Sequence, residues 1–370
     1  MQENTRLQIV NIEGDIRQGG TLVTCRLDGW DTDTLVYGDN LRLMGKSNSD
    51  YDDPEWREFF NGHILEDPSY EFSAFESHLT FRAGTANYLM RGRIQDVAFT
   101  EQAVPANDHQ IAPTMRLSSC FSHLISRHCN FLYHATDRPE GIIFSTSYDT
   151  ADTALTRFNF NKANDMWSAL VQQLGGGDEG GVQFFWPYFK RDNTLTYKGA
   201  PHTLSLTSKG TLTKEHLRGV VRVTTRNAKA EDQIGQVQII AVGGDTTIYE
   251  SVYPTTPGDG RIVEKKSGIW ADSQARTDVL AQNLYEWLTR PYTLQVQVDP
   301  GLNLFGDDGL GLDLGDKLAI TYNGPAEDTA TGAGVHLNLS AAAFYVYKYT
   351  VSYDPRTRQG KGILELEADN

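Results

Sequence analysis

Cysteine is scarce. Three in 370 residues, Cys25, Cys120 and Cys129, are too few for a disulfide framework, and a reduced interior suits them. Long apolar runs are missing. No window approaches the roughly 20 apolar residues that a spanning helix needs, so membrane insertion by this chain is not expected. The opening residues, MQENTRLQIV, lack a basic region ahead of an apolar core, so no secretory signal is read there. Cations are in the minority: 33 Lys and Arg against 48 Asp and Glu leave a net charge of −15. Tight nucleic-acid binding needs Lys and Arg to displace counterions. The charge fits a protein kept soluble, or a surface that DNA passes without sticking. No Gly-x-Ser-x-Gly nucleophile elbow occurs.

What is present reads mainly as strand. The length predicts two or three domains. Between residues 1 and 100, RLQIVNI, TLVTCRLDG, TLVYGDNLRLMG, REFFNGHILE, HLTFRAG and IQDVAF alternate and are broken by Gly, Asp and Asn. Short strands at this spacing suggest a barrel or sandwich. EQAVPANDHQIAP (101–113) reads as a linker. The middle of the chain changes character. Met115 to Tyr133 has helical periodicity, GIIFSTSY reads as a strand, and Lys162 to Leu174 as a second helix ending at GGGDEGG. VQFFWPYFK and NTLTYKG make a hairpin around Arg191-Asp192-Asn193. From Thr211 the pattern returns to strand, with TYNGPAEDTATGAG (321–334) as a loop or long hairpin tip.

One element stands apart. Ala271 to Arg290 is a long run without Gly or Pro, and Pro291 stops it. Ala275, Val279, Leu280, Leu284, Trp287 and Leu288 recur at helical steps and predict an apolar stripe that packs on a β domain. The predicted architecture is mainly β, α+β overall. Two related antiparallel β-barrel domains, residues 1–112 and 212–370, flank a small α/β domain, 113–211, and the second carries the long amphipathic helix 271–290.

The two outer domains share a sequence pattern. Leu35-Val36-Tyr37-Gly38-Asp39-Asn40-Leu41-Arg42-Leu43 matches Leu312-Asp313-Leu314-Gly315-Asp316-Lys317-Leu318-Ala319-Ile320 as L-x-x-G-D-x-L-x-(L/I). Further on, Ile64–Pro68 (ILEDP) resembles Val351–Pro355 (VSYDP), and Leu79–Ala83 resembles Leu364–Ala368. Three matches in one order point to a duplicated β domain. Generic turn chemistry accounts for any one of them alone.

Constellations with catalytic or metal chemistry are weak. Cys120, His123, His128 and Cys129 are the most metal-like cluster. On a helix, His123 lies about 140° from His128 and Cys129 about 180° from Cys120, so the four do not converge on one ion. No metal, cofactor or catalytic residue is expected. GGGDEGG (175–181) lacks the Gly-Lys-Ser/Thr ending of a phosphate loop and follows a helix rather than opening one. Asp50, Asp52, Asp53 and Glu55, and Asp307, Asp308, Asp313 and Asp316, lack the spacing of a calcium-binding loop and read as solvated loops. A carboxylate pair for glycoside hydrolysis need not be adjacent in sequence and stays open. Aromatics are dense in EWREFF (55–60), FFWPYF (184–189) and FYVYKY (344–349). Outward-facing rings there mean a partner interface; otherwise both sheet faces are covered within the chain.

The succession WREFFNG, HLISRHCNFLY, NDMWSALVQQLGG, LRGVVRVTTR, ADSQARTDVLAQNLYEWL, LGDKLAI and YKYTVSYDPRTRQGKGILELE resembles the baseplate (tail) hub proteins of contractile-tailed bacteriophages of Mu type and related phage-derived injection machines. The resemblance covers most of the chain as a pattern of elements. It implies a structural, non-enzymatic virion protein that forms a homotrimer. Six barrels in a ring would then join the six-fold tail tube to the central spike. Tube or tube-initiator, spike and baseplate wedge proteins are the implied partners, and DNA only passes through the lumen. The place implied is the virion tail baseplate, assembled in the host cytoplasm. A distal tail adaptor, or a tail glycan-binding or hydrolysing β protein, is the alternative. An acidic inner wall is expected of the ring.

Overall fold

The computed structural model describes residues 7–28, 35–46, 56–66, 69–72, 77–91, 100–101, 110–111, 145–146, 167, 185–199, 208–225, 234–242, 246–257, 262–271, 273–289, 292–299, 311–329, 331–354 and 359–368. Strands predominate. The first group is β1 (Leu7–Asp15), β2 (Gly20–Asp28), β3 (Asn40–Lys46), β4 (Trp56–Ile64), β5 (Ser69–Phe72) and β6 (Ser77–Gly84), followed by helix α1 (Ala86–Arg91). Short strands β7 (Thr100–Glu101), β8 (Gln110–Ile111) and β9 (Ser145–Thr146) precede the hairpin β10 (Phe185–Phe189) and β11 (Thr194–Gly199). Then come β12 (Thr211–Thr213), β13 (Leu217–Thr225), β14 (Ile234–Val242), β15 (Ile248–Tyr253), β16 (Ile262–Trp270) and helix α2 (Gln274–Leu288). The chain closes with β17 (Tyr292–Val298), β18 (Lys317–Asp328), β19 (Gly334–Asp354) and β20 (Gln359–Ala368).

One 12-stranded sheet runs through both ends of the chain in the order β12-β18-β13-β17-β20-β19-β1-β2-β6-β4-β3, with β5 on β6. The two ends repeat one topology. In the first, the sheet order is β1-β2-β6-β4-β3; in the second it is β13-β17-β20-β19-β18. Taken in chain order, first strand matches first and fifth matches fifth, and every neighbour is antiparallel in both. The registers coincide as well. Asn40 faces His63 as Lys317 faces Tyr345, and His63 faces Gly84 as Tyr345 faces Glu367. The second unit also closes on itself, because β18 pairs both β19 and, in parallel, β13.

The units join through β19. This 21-residue strand pairs β18 with its first part, and from Lys348 to Ser352 it pairs β20 on one edge and β1 on the other. A continuous core follows from that continuity. Ile12, Val23, Phe60 and Phe81 of the first unit belong to the same buried cluster as Val296, Ile320, Phe344 and Leu366 of the second. Alternation supplies the inward residues of each strand, as in β18, where Leu318, Ile320, Tyr322 and Ala326 are buried and Thr321, Asn323 and Pro325 are exposed.

Between β13 and β17 lies a separate layer. β14 is flanked by β15 and β16, and α2 covers one face. Val237, Ile239 and Ala241 of β14 meet Leu280, Ala281 and Leu284 of the helix. Ser273 starts the helix, its carbonyl accepting both the N–H and the hydroxyl of Thr277.

Several readings of the sequence change here. The helix runs from Gln274 to Leu288 rather than from 271 to 290, and its buried face is rotated. Ala275 and Val279 are exposed, while Thr277, Ala281 and Asn283 are buried beside Leu280 and Leu284. Small residues fit the tight approach to β14, which an apolarity count overlooks. Strand β5 and helix α1 were not expected, nor was β16, whose Glu-Lys-Lys centre looks polar. The stretch 321–334 is mostly paired strand, with Thr329 and Thr331–Ala333 at the hairpin tip. The predicted helix 115–133 and the run IQDVAF lie outside the described residues, as do 162–174 apart from Trp167, which is helical and buried, and GIIFSTSY apart from Ser145 and Thr146.

Candidate functional site

The two Gly-Asp turns are the same structure. In the first unit, Asp39 N–H donates to Val36 O at 3.1 Å and Val36 N–H donates to Asp39 Oδ2 at 3.0 Å. In the second, Asp316 N–H donates to Asp313 O at 3.2 Å and Asp313 N–H donates to Asp316 Oδ2 at 2.9 Å. Each glycine sits at positive φ, 87° at Gly38 and 77° at Gly315, where a side chain is strained. Each turn is then stitched to its sheet by matching bonds. Gly38 N–H reaches Ile64 O and Ile64 N–H reaches Asp39 O, as Gly315 N–H reaches Val346 O and Val346 N–H reaches Asp316 O. Ile64 therefore answers to Val346 and not to Val351. By the same pairing Ala83 answers to Leu366 rather than Ala368, a slip of two that keeps the face. Of the three sequence matches, the first is in place.

The hairpin β10–β11 wedges between the units. Its tip residue Asn193 has φ 62°, tolerated by Asn in a tight turn. Arg191 O accepts from Asn61 N–H of the first unit at 2.7 Å. Arg191 N–H donates to Asp313 Oδ2 of the second at 2.9 Å, Nη2 donates to Leu312 O at 3.0 Å, and Nε lies 3.5 Å from Asp313 Oδ2. Phe189 N–H donates to Gly19 O, and Ala86 N–H donates to Asn193 Oδ1. Burial works against the Arg191 charge, but Asp313, with Tyr349 and Asp316, more than offsets it and the guanidinium is held more firmly protonated than usual.

A buried polar chain continues from there. The Arg191 guanidinium stands over the Tyr349 ring, 5.8 Å from its centroid. Tyr349 OH and Thr21 Oγ1 share a hydrogen bond of 2.9 Å, Thr21 N–H donates to Thr85 Oγ1, and Thr85 Oγ1 donates to Asn87 Oδ1. Burial, with Asp313 next, pushes the Tyr349 phenol well up, so it stays neutral. Gly14 lets the ring in: a Cβ there would stand 2.4 Å from Tyr349 Cε1.

These contacts hold parts together; they present no nucleophile poised by a base. Asp313 and Asp316 are not solvated loop acids but a turn and an ion pair. Asp50, Asp52, Asp53, Asp307 and Asp308, with Cys120, His123, His128, Cys129 and GGGDEGG, lie outside the described residues. Among the described residues, no three His, Cys, Asp or Glu side chains cluster as a metal site, and no helix is long and apolar enough to cross a membrane. The aromatic runs face inward where described: Phe60, Tyr188, Phe189, Phe344, Tyr345 and Tyr349 are buried, and Tyr347 donates to Glu365. From Phe344 to Tyr349 both faces of β19 are thus covered within the chain, whereas His336, Asn338, Ser340, Ser352 and Tyr353 are exposed. The role of Arg191 was not read from the sequence, because a hairpin tip carries no sign of its distant partner Asp313.

The fold is similar to that of solved phage tail proteins. The chain is similar over its full length to the tail protein from Neisseria meningitidis MC58, with a TM-score of 0.64 at 12% identity over 93% of that chain. It also matches the prophage MuSo2 43 kDa tail protein from Shewanella oneidensis (TM-score 0.59, 8% identity, 98% of this chain and 97% of that) and prophage tail protein gp18 from Listeria monocytogenes EGD-e (0.52, 11%, 98% and 89%). No family model matches the sequence, and no curated protein does.

Proposed function

We propose that the chain is a structural tail protein, the homotrimeric hub that joins a six-fold tail tube to a central spike. The observation that carries this is the repeated unit: one topology used twice, with the same turn at the same place. A trimer of a doubled unit offers six similar surfaces to a six-fold ring and three-fold symmetry to a spike. Each unit is taken as a barrel, the second closed through β13 and β18. The domains are residues 1–112, 113–211 and 212–370. Tube or tube-initiator, spike and wedge proteins are its partners in the virion baseplate, after assembly in the host cytoplasm, and its function lies in interfaces rather than catalysis.

DNA passes through the ring without being gripped, and the wall is acidic, in keeping with the net charge of −15. A distal tail adaptor with one principal barrel fits less well, since it gives the second unit no counterpart. Sedimentation equilibrium of the purified chain tests the reading. A trimer is expected; a stable monomer or hexamer would remove it.

A further inference from the structure

The two Gly-Asp turns share a backbone but not a cover. In the second unit Leu312 and Leu314 are fully buried, with Arg191 bonded to Leu312 and Asp313, and Tyr188 seated against Gly315. In the first unit Leu35, which answers to Leu312, is half-buried against the core, but the middle of the turn is open. Val36, which answers to Asp313, is 43% exposed, and Tyr37, which answers to the buried Leu314, is 39% exposed. Adjacent exposed apolar side chains on a rigid turn make a small contiguous patch, the kind of surface that interaction sites use.

The covered turn says where such a cover lies. It sits at the seam between units: Arg191 holds Asn61 of the first unit with its carbonyl and Asp313 of the second with its amide. Among the described residues of one chain there is one seam of this kind, formed by β1 on β19, and the second unit's turn occupies it. In a ring of alternating units the first unit's turn occupies the next seam, between chains. By analogy with Asn61, which bonds Arg191 beside the covered turn, the neighbour's matching stretch is its second unit around Ala343, the counterpart of Asn61 by register. Valine in place of Asp313 removes the carboxylate, so this seam is closed by apolar contact and not by an arginine.

We infer that Val36 and Tyr37 form part of the contact between one copy of this chain and the second unit of the next. The inference rests on the ring reading above. The test is sedimentation equilibrium of the full chain against Tyr37→Arg and the Val36→Ser, Tyr37→Ser double variant, with Tyr353→Ser, another exposed tyrosine, as control. Both residues are exposed, so melting of the dissociated chain should stay as in the parent. The two variants should dissociate at concentrations at least about tenfold higher than the parent, as truncating an interface anchor does, while the control should not. A parent trimer whose variants associate equally well overturns this inference and leaves the ring reading standing. A monomeric parent overturns both.

Discussion

Arg191 reaches Asp313 twice: its backbone N–H donates to Oδ2 at 2.9 Å, and its Nε lies 3.5 Å from the same oxygen. The two side chains are only 11% and 14% exposed, so water screens the pair little. One residue at a hairpin tip therefore fixes the second unit's turn, and through its carbonyl also holds Asn61 of the first. Removing one member strands the other charge in the seam.

Asp313→Ala should destabilise the chain by about 3 kcal/mol, the usual scale for breaking a buried pair. Adding Arg191→Met should recover part of the loss, because no unpaired guanidinium is then buried. Urea unfolding of the two single variants and the double variant checks this. Additive losses would mean that the pair is not coupled.

Asp316 has a pH dependence whose sign is the reverse of that of an ordinary paired carboxylate. Burial, then the neighbouring Asp313, raises its folded pKa above the ordinary carboxylate value. The folded state therefore binds the proton more tightly than the unfolded state. That stabilisation is fully present below the ordinary carboxylate range and is lost as pH rises through the raised folded value. At neutral pH the ionised form is the less favourable one. Asp316→Asn keeps an oxygen for the Asp313 N–H and removes the charge. Its stability relative to the parent should be highest near pH 7 and decline as pH falls toward 4. A difference independent of pH across thermal melts would refute the assignment.

The two turn glycines separate backbone strain from crowding. Gly38→Ala should cost about 1 kcal/mol, the penalty of a Cβ at positive φ. Gly315→Ala should cost more, since its Cβ would stand 2.0 Å from Tyr188 OH and 2.7 Å from Cζ. Tyr188→Phe should return part of the excess in the Gly315→Ala background only. Equal losses at both glycines would place the cost wholly in the backbone.

Legibility in the sequence followed locality. The turn Leu35–Asp39 and its copy were readable because Gly and Asp are demanded by the same positive φ and the same cap. The hairpin at Arg191-Asp192-Asn193 was readable for the same reason. What hid was long range. The β1–β19 pairing joins residues over three hundred positions apart, as Asn11 with Ser352, and leaves no periodic mark. The two slipped matches, Ile64 and Ala83, fell where strand register and not turn chemistry sets the equivalence. The helix face was misjudged because Thr277 and Asn283 are buried by geometry that hydrophobicity does not reveal.

The layer of β14, β15, β16 and α2 should be removable. It is inserted between β13 and β17, and its buried cluster shares no residue with the core of the large sheet. Its ends already meet, since Thr225 at the end of β13 faces Tyr292 at the start of β17 in an antiparallel ladder. The first unit shows the uninserted form: β1 and β2 hold the corresponding places and are joined by a short turn from Ile16 to Gly19. Replacing residues 226–291 by a two-residue Asn-Gly link should therefore close a hairpin without moving the sheet. Leu284→Ala in the intact chain offers a gentler version. It should cost about 3 kcal/mol of local stability, as core truncations do. Amide exchange should quicken in β14 and α2 while protection in β17, β19 and β20 is unchanged. An insoluble deletion variant together with global loss of protection in Leu284→Ala would show that the layer and the sheet fold as one unit.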